Sequence, residues 1–286
     1  MTVTLLDFSQ KPDLRPIGEI VNSVGAVARR LHFECFITGA LARDLWIVHH
    51  LGIETGRQTE DVDFAVAVPD WESFRALRKE LIDSGEYGEV PRTPAHRLRH
   101  RNGIPIDLVP FGGVERPGTR SIAWPPGNDF VMSVFGFREA AAHTVEVRFP
   151  GDAVGRVVTL PALALLKIDA WADRHVRVPR KDAYDLRLII RNYADANNTN
   201  RLYDENPYLM GSPADYELAG AWLLGKDIAQ LLDSNGRERL ARIIADEADE
   251  GGQLRLAGDM MRDNQERALA LLAALEEGFM GDKDEQ

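Results

Sequence analysis

Residues 61–68 read Asp-Val-Asp-Phe-Ala-Val-Ala-Val. The run is rich in β-formers and alternates, which predicts a strand. Side chains on a strand alternate faces, so Asp61 and Asp63 project together while Val62, Phe64 and Val66 point the other way, into a core. Just upstream, Phe36-Ile37-Thr38-Gly39-Ala40 predicts a short buried strand over 34–37, a glycine turn, and a helix over 40–50. A glycine turn that feeds a helix offers backbone N–H groups and a positive dipole end to a phosphate. Downstream, Pro69-Asp70 opens a helix over 71–84. Strands over 95–100 and 104–109 then flank Asn102-Gly103, a strong hairpin signal. Asp107 lies in the second of these, IPIDLVPF, between apolar neighbours. If that strand pairs beside 61–68, three carboxylates meet. Two unit charges about 4–5 Å apart repel by roughly 3–4 kcal/mol at an effective dielectric near 20, so such a group needs protons or cations. Hard oxygen donors select Mg²⁺ or Mn²⁺. Taken alone, Asp-x-Asp also suits solvent-facing carboxylates on an edge strand.

A helix is expected before this region, over 16–31, where Ile20, Val21, Val24, Val27, Ala28 and Leu31 recur at helical spacing. Residues 111–128, rich in Gly and Pro, read as a long loop; 144–149 and 156–158 read as strands. The character changes after about residue 158. Thr159 caps a helix with Pro161 in its first turn, running to about 173, and a second helix covers 181–193. Residues 197–207 are polar and turn-like. Residues 214–279 read as helices separated by Gly236 and by Gly251-Gly252. The expected architecture is an α/β (α+β) domain over 1–158, a mixed sheet flanked by helices, followed by an all-helical domain over 159–286.

Composition limits the function classes. The 286 residues carry a formal net charge of −11, which disfavours a surface built for non-specific DNA binding. The basic stretches 92–101 (RTPAHRLRHR) and 174–181 (RHVRVPRK) leave room for a polyanionic partner. The longest apolar stretches, such as 160–166, are too short to span a bilayer, so no membrane partner is expected. The N-terminus lacks a secretory pattern. The single cysteine, Cys35, cannot form an internal disulfide. A cytoplasmic location is the expectation.

The order strand, glycine turn, helix, strand with Asp-x-Asp, and a later strand with a third carboxylate resembles the DNA polymerase β-like nucleotidyltransferases. The matching residues are Gly39-Ala40, Asp61-Val62-Asp63 and Asp107. Within that superfamily the chain is most similar to the AbiEii/AbiGii-type toxins of toxin–antitoxin systems. In those a later helix bears a lysine, followed by an Arg-Asp-x-x-Asp-like stretch. Here the corresponding segments are LPALALLKIDAWADR and RKDAYDLRLII, so Lys167 and Asp182 match. The resemblance covers roughly residues 30–195. It departs from the pattern in two places. Ala40 stands where a serine would offer a hydroxyl, and the gap from Gly39 to Asp61 is long, with an insertion around 49–60.

The resemblance implies transfer of a nucleoside monophosphate from an NTP to an acceptor hydroxyl on a tRNA 3′ end or a protein, with pyrophosphate released. Asp61, Asp63 and Asp107 would hold Mg²⁺ or Mn²⁺; Thr38, Gly39, Ala40 and Lys167 would meet the nucleotide; Asp182 would join the catalytic group; and a cognate antitoxin would be a partner. Lys167, after an apolar run, also suits an ammonium that snorkels to solvent, and Asp182 a residue facing a helix dipole. Arg97, Arg99 and Arg101 alternate and are expected to share a face suited to the phosphates of a nucleotide or of an RNA acceptor; charges on an exposed edge strand are the alternative. His49, His50 and His143 are expected to be structural, and Trp124 a loop anchor. Two rival functions remain: a small-molecule, aminoglycoside-type nucleotidyltransferase, and a catalytically silent nucleotide- or partner-binding module.

Overall fold

The computed structural model describes residues 5–56, 59, 61–91, 96–178, 180–205, 215–248 and 254–281. The chain separates into two compact units, Met1–Thr159 and Leu160–Gln286. The first unit contains, in chain order, strand β1 (Leu5–Asp7), helix α1 (Arg15–Arg30), β2 (Cys35–Thr38), α2 (Gly39–Asp44), β3 (Val62–Val68), α3 (Trp71–Asp83) and β4 (Tyr87–Glu89). There follow β5 (Arg97–His100), β6 (Pro105–Gly112), β7 (Ser121–Ala123), β8 (Val131–Ser133), α4 (Phe137–Ala142), β9 (Thr144–Arg148) and β10 (Val154–Val158). Eight strands form one mixed sheet in the order β1-β9-β10-β2-β3-β6-β5-β4, and β7 pairs with β8 separately.

The middle of that sheet follows from the sequence. β3 buries Val62, Phe64, Val66 and Val68, as its alternation requires. It lies antiparallel to β2 and parallel to β6, so the paired carboxylates sit near the centre of the sheet rather than at an edge. β5 and β6 form the hairpin around Asn102-Gly103, with Gly103 at φ +93°. α1 buries the apolar stripe Ile20, Val21, Val24, Val27 and Ala28. α3 starts at Asp70, whose side chain accepts a hydrogen bond from the Ser73 amide at 2.7 Å, satisfying one of the donors a helix N-terminus leaves open.

Several elements differ from the sequence reading. Residues 111–128 are not one loop: 111 and 112 complete β6, and β7 lies within the rest. The three-residue strands β1 and β4 and the short helix α4 carry too little periodicity to be read. The helix expected over 40–50 begins as α2 and passes into a π-helical segment, Leu45–His50.

The second unit is helical: α5 (Leu160–Arg174), α6 (Lys181–Asn192), α7 (Thr199–Glu205), α8 (Tyr216–Leu231), α9 (Ser234–Ala248), α10 (Arg255–Met260) and α11 (Gln265–Met280). α7 occupies much of the stretch expected to be turn-like. Gly236 lies inside α9 rather than between helices; the break falls at Leu232-Asp233, where Leu232 is extended. The Gly251-Gly252 pair and Ala214 lie outside the described residues. α8 and α11 approach very closely: a Cβ on Gly225 would stand 2.0 Å from the Leu275 carbonyl oxygen, and one on Gly278 would stand 1.8 Å from that of Trp222. Arg267 near the start of α11 pairs with Asp215 and Glu217 at the start of α8. Among the described residues, no helix is long and apolar enough to cross a membrane.

Candidate active site

The sheet register builds the site. Thr38 on β2 is paired with Asp63 on β3, Asp63 with Asp107 on β6, and Asp107 with Arg97 on β5. Residues opposite one another on neighbouring strands share a face, so four strands present Thr38, Asp63, Asp107 and Arg97 as one row. Asp61, immediately before β3, joins it through Arg97, whose Nη2 donates to Asp61 Oδ2 at 2.8 Å and to Asp107 Oδ2 at 2.5 Å. Arg97 Nε donates to Asp107 Oδ1 at 2.7 Å. These bonds, above all those to Asp107, raise the guanidinium pKa further above its ordinary value.

Gly39 is required twice over at this point. Its φ of +68° favours glycine, and a Cβ there would stand 1.8 Å from Asp63 Oδ2. The turn therefore lies directly against the Asp63 carboxylate. Gly39→Ala must displace that carboxylate, and an ångström-scale displacement of a reacting group costs about a hundredfold in rate. The expected result is a loss of at least about a hundredfold in nucleotidyl transfer, read by steady-state kinetics on folded protein; near-native turnover would show that the contact is not needed.

Sequence reading missed the support beneath this turn. Arg43 on α2 is 0% exposed, and its Nε and Nη2 donate to Asp44 Oδ1 at 2.9 and 2.6 Å. Thr59 Oγ1 donates to Asp44 Oδ2 at 2.5 Å. The insertion ahead of Asp61 is thus tied back to the helix that follows Gly39. An adjacent Arg-Asp in an otherwise apolar helix, ALARDLWIV, was the available signal: a charge on a buried face needs a partner.

The three arginines read as one face behave differently. Arg97 is held by the carboxylates. Arg99 is exposed and donates to the Gly103 carbonyl at 2.8 Å, bracing the hairpin. Arg101, past the end of β5, pairs with Glu86 at 3.3 Å. Trp124 packs against Trp71, Phe74 and His96, with ring centroids 5.4, 5.8 and 4.9 Å away, and is buried. His96 lies 4.0 Å from Asp107 Oδ1, and burial pushes its imidazole below the ordinary value despite Asp107, so it is largely neutral near pH 7. His50 stacks edge-on to Trp46 and His143 Nδ1 meets the Glu139 carbonyl.

In the second unit, Lys167 and Asp182 belong to a buried ionic cluster. Lys167 Nζ is 3.3 Å from Asp182 Oδ1 and 2.6 Å from Asp185 Oδ2; the second contact lacks hydrogen-bond alignment. Arg174 Nε and Nη2 donate to the two Asp182 oxygens at 2.7 and 2.8 Å. Lys167, Asp182 and Asp185 are 5%, 1% and 0% exposed. Burial pushes the Asp182 carboxyl up, but the Lys167 charge and the Arg174 hydrogen bonds outweigh it and hold the group below the usual carboxylate value. Asp185, not singled out from sequence, was legible as the i, i+3 partner of Asp182 on one helix face.

The donor set suits a divalent cation. It consists of hard carboxylate oxygens, and two of them, from Asp61 and Asp107, already converge on one cationic nitrogen. Among the described residues, no three acidic, imidazole or thiol groups are yet gathered into a complete cage.

Paired carboxylates on a central strand, a third in register on the parallel neighbour, and a glycine turn closing against them define a polymerase β-like nucleotidyltransferase. The family model for the nucleotidyl transferase AbiEii toxin of type IV toxin–antitoxin systems matches residues 35–206, and the chain belongs to that family. No curated protein gives a significant match. Similar solved structures include an antigenic nucleotidyltransferase-like protein from Paracoccidioides brasiliensis, 18% identical over 68% of this chain and 90% of that one, with TM-score 0.39. Another is ANT(2″)-Ia in complex with adenylyl-2″-tobramycin, 15% identical over 68% and 99%, TM-score 0.35. A third is the Thermotoga maritima CCA-adding enzyme complexed with tRNA, 12% identical over 94% and 81%, TM-score 0.25. These likenesses are too distant to carry a substrate or an acceptor.

Proposed function

We propose that this nucleotidyltransferase moves a nucleoside monophosphate from an NTP to a hydroxyl on RNA, with the 3′ end of tRNA as the expected acceptor. We further propose that it acts in the cytoplasm as a toxin held in check by a cognate antitoxin. The observation that carries the catalytic reading is the register Asp63–Asp107 beside Asp61, closed by Gly39. In this reading residues 1–158 are the catalytic domain and 159–286 a helical domain.

Asp61, Asp63 and Asp107 would hold Mg²⁺ or Mn²⁺. Such an ion supplies charge neutralisation at the triphosphate and lowers the pKa of an acceptor oxygen. The turn Thr38-Gly39-Ala40 borders the β and γ phosphates. Ala40 offers no hydroxyl, so backbone N–H groups and Thr38 serve there. By resemblance, Lys167, whose ammonium lies against Asp182 and Asp185, would add a positive charge to phosphoryl transfer by position and electrostatics.

RNA is favoured as acceptor by the segment after α5, where Val176, Arg177, Val178 and Arg180 are exposed in an otherwise acidic chain. The test is incubation with each α-labelled NTP, Mg²⁺ or Mn²⁺, and total tRNA, bulk protein or an aminoglycoside in parallel. Label is expected in RNA, falling steeply with salt because phosphate contacts release counterions. Salt-insensitive label in the aminoglycoside, or label in protein alone, would overturn the RNA reading. Absence of any NTP consumption would favour a silent binding module.

A further inference from the structure

The Asp61 and Asp107 carboxylates are already partly neutralised from within the chain, by one shared guanidinium. Arg97 faces Asp107 across the β5–β6 ladder and takes it side-on, Nε to Oδ1 and Nη2 to Oδ2, while the same Nη2 reaches Asp61 Oδ2. Side-on arginine–carboxylate pairs are among the stronger and more directional ion pairs. The site is only partly open: the side chains of Arg97, Asp61 and Asp107 are 32%, 21% and 12% exposed. The guanidinium stands at the point on which the two carboxylate oxygens converge. A divalent cation held by those oxygens has to take that point.

We propose that Arg97 is the resident counter-cation of the carboxylate centre: it keeps Asp61 and Asp107 together when no metal is bound, and it must withdraw before a divalent ion can bridge them. This rests on the metal-centre reading above and adds a residue that sets how tightly metal is held. Two consequences follow from competition for one position. The apparent metal affinity is the intrinsic affinity reduced by the fraction of molecules in which Arg97 has let go. The withdrawn guanidinium, with its planar fork, is then free to meet phosphate oxygens, so metal entry and nucleotide contact become linked. Arg97 is a positioning residue in this scheme.

The experiment is a Mn²⁺ titration without nucleotide, read by the electron paramagnetic resonance signal of free Mn²⁺. It is run on wild type, Arg97→Gln, Arg97→Lys, and Arg97→Gln combined with Asp61→Asn. Melting temperature is recorded with and without Mn²⁺. Arg97→Gln is expected to bind Mn²⁺ at least about tenfold more tightly than wild type, to melt lower without metal, and to recover with it. Arg97→Lys, which keeps a charge but cannot bridge two carboxylates side-on, should fall between. Wild-type or weaker Mn²⁺ affinity in both Arg97 variants would overturn the proposal. In that event, Mn²⁺ binding that still disappears with Asp61→Asn would leave the carboxylate metal centre standing. Failure of wild type and every variant to bind Mn²⁺ would remove both.

Discussion

Asp63→Asn and, separately, Asp61→Asn are expected to lower nucleotidyl transfer at least about a thousandfold, with folding unimpaired. The Asn side chain keeps the volume of Asp, so the close fit between residue 63 and Gly39 survives, and only the charge is removed. That charge is what draws a cation to the site, and a loss of about 4 kcal/mol of transition-state stabilisation corresponds to a thousandfold in rate. For Asp63→Asn stability should move the other way or not at all, whereas Asp61→Asn also gives up the ion pair with Arg97 and should gain nothing. Asp61, Asp63 and Asp107 crowd one face of the sheet, and removing one negative charge relieves repulsion. Groups arranged for chemistry are commonly strained in this way. The measurement is turnover and melting temperature on the same preparation. Near-native turnover by both well-folded variants would remove the pair from catalysis. Loss of turnover that tracks loss of folding would give them a structural role instead.

Lys167→Met should have the largest effect on stability. The substitution keeps an unbranched side chain of similar length but removes the ammonium that faces Asp182 and Asp185. Breaking a buried ion pair from one side costs about 3–5 kcal/mol, because the remaining charge is left in a desolvated site. A drop of about 10 °C or more in the melting temperature follows. Asp185 faces the lost ammonium at 2.6 Å, and a second substitution, Asp185→Leu, should recover part of the loss. The acid limb is informative too. Asp182 has a folded-state pKa below its ordinary 3.8, so its contribution is present above that value and is lost as pH falls through the depressed one. Without Lys167 the depression shrinks, and acid unfolding should begin at higher pH. A Lys167→Met protein that melts like wild type would show that the cluster contributes nothing net, as a lysine that merely snorkels to solvent would.

Much of the centre of the sheet was legible in the sequence. β3 announces itself by alternation, β5–β6 by Asn102-Gly103, and the glycine turn by its place between an apolar strand and a helix. The pairing of Arg97 with Asp107 was also available. Counting outward from the hairpin turn sets Arg99 opposite Pro105 and Arg97 opposite Asp107. Reading Arg97, Arg99 and Arg101 as one face uses the alternation of a single strand and leaves out its neighbour, where Asp107 stands opposite Arg97 and pairs with it.

What stayed hidden depends on contacts between distant segments. β1 pairs with β9, more than a hundred residues away in the chain, and three residues carry no usable period. α7 is polar and short, so its composition suggested a turn. Gly236 lies near the start of α9, where it does not end the helix. The insertion ahead of Asp61 reads as an unexplained length of loop until Thr59 is seen bonded to Asp44.

The proposed reaction joins the nucleotidyl group, α-phosphorus included, to the acceptor. It is tested most directly by supplying α-labelled and γ-labelled NTP in parallel, with divalent metal and tRNA, and counting label in the acceptor against pyrophosphate released. Stable α-label in the acceptor, one pyrophosphate per nucleotide joined and no transfer of γ-label, with both the α-label and the pyrophosphate lost in Asp63→Asn, is the predicted result. Transfer of γ-label, release of orthophosphate alone, or unchanged incorporation by Asp63→Asn would contradict it.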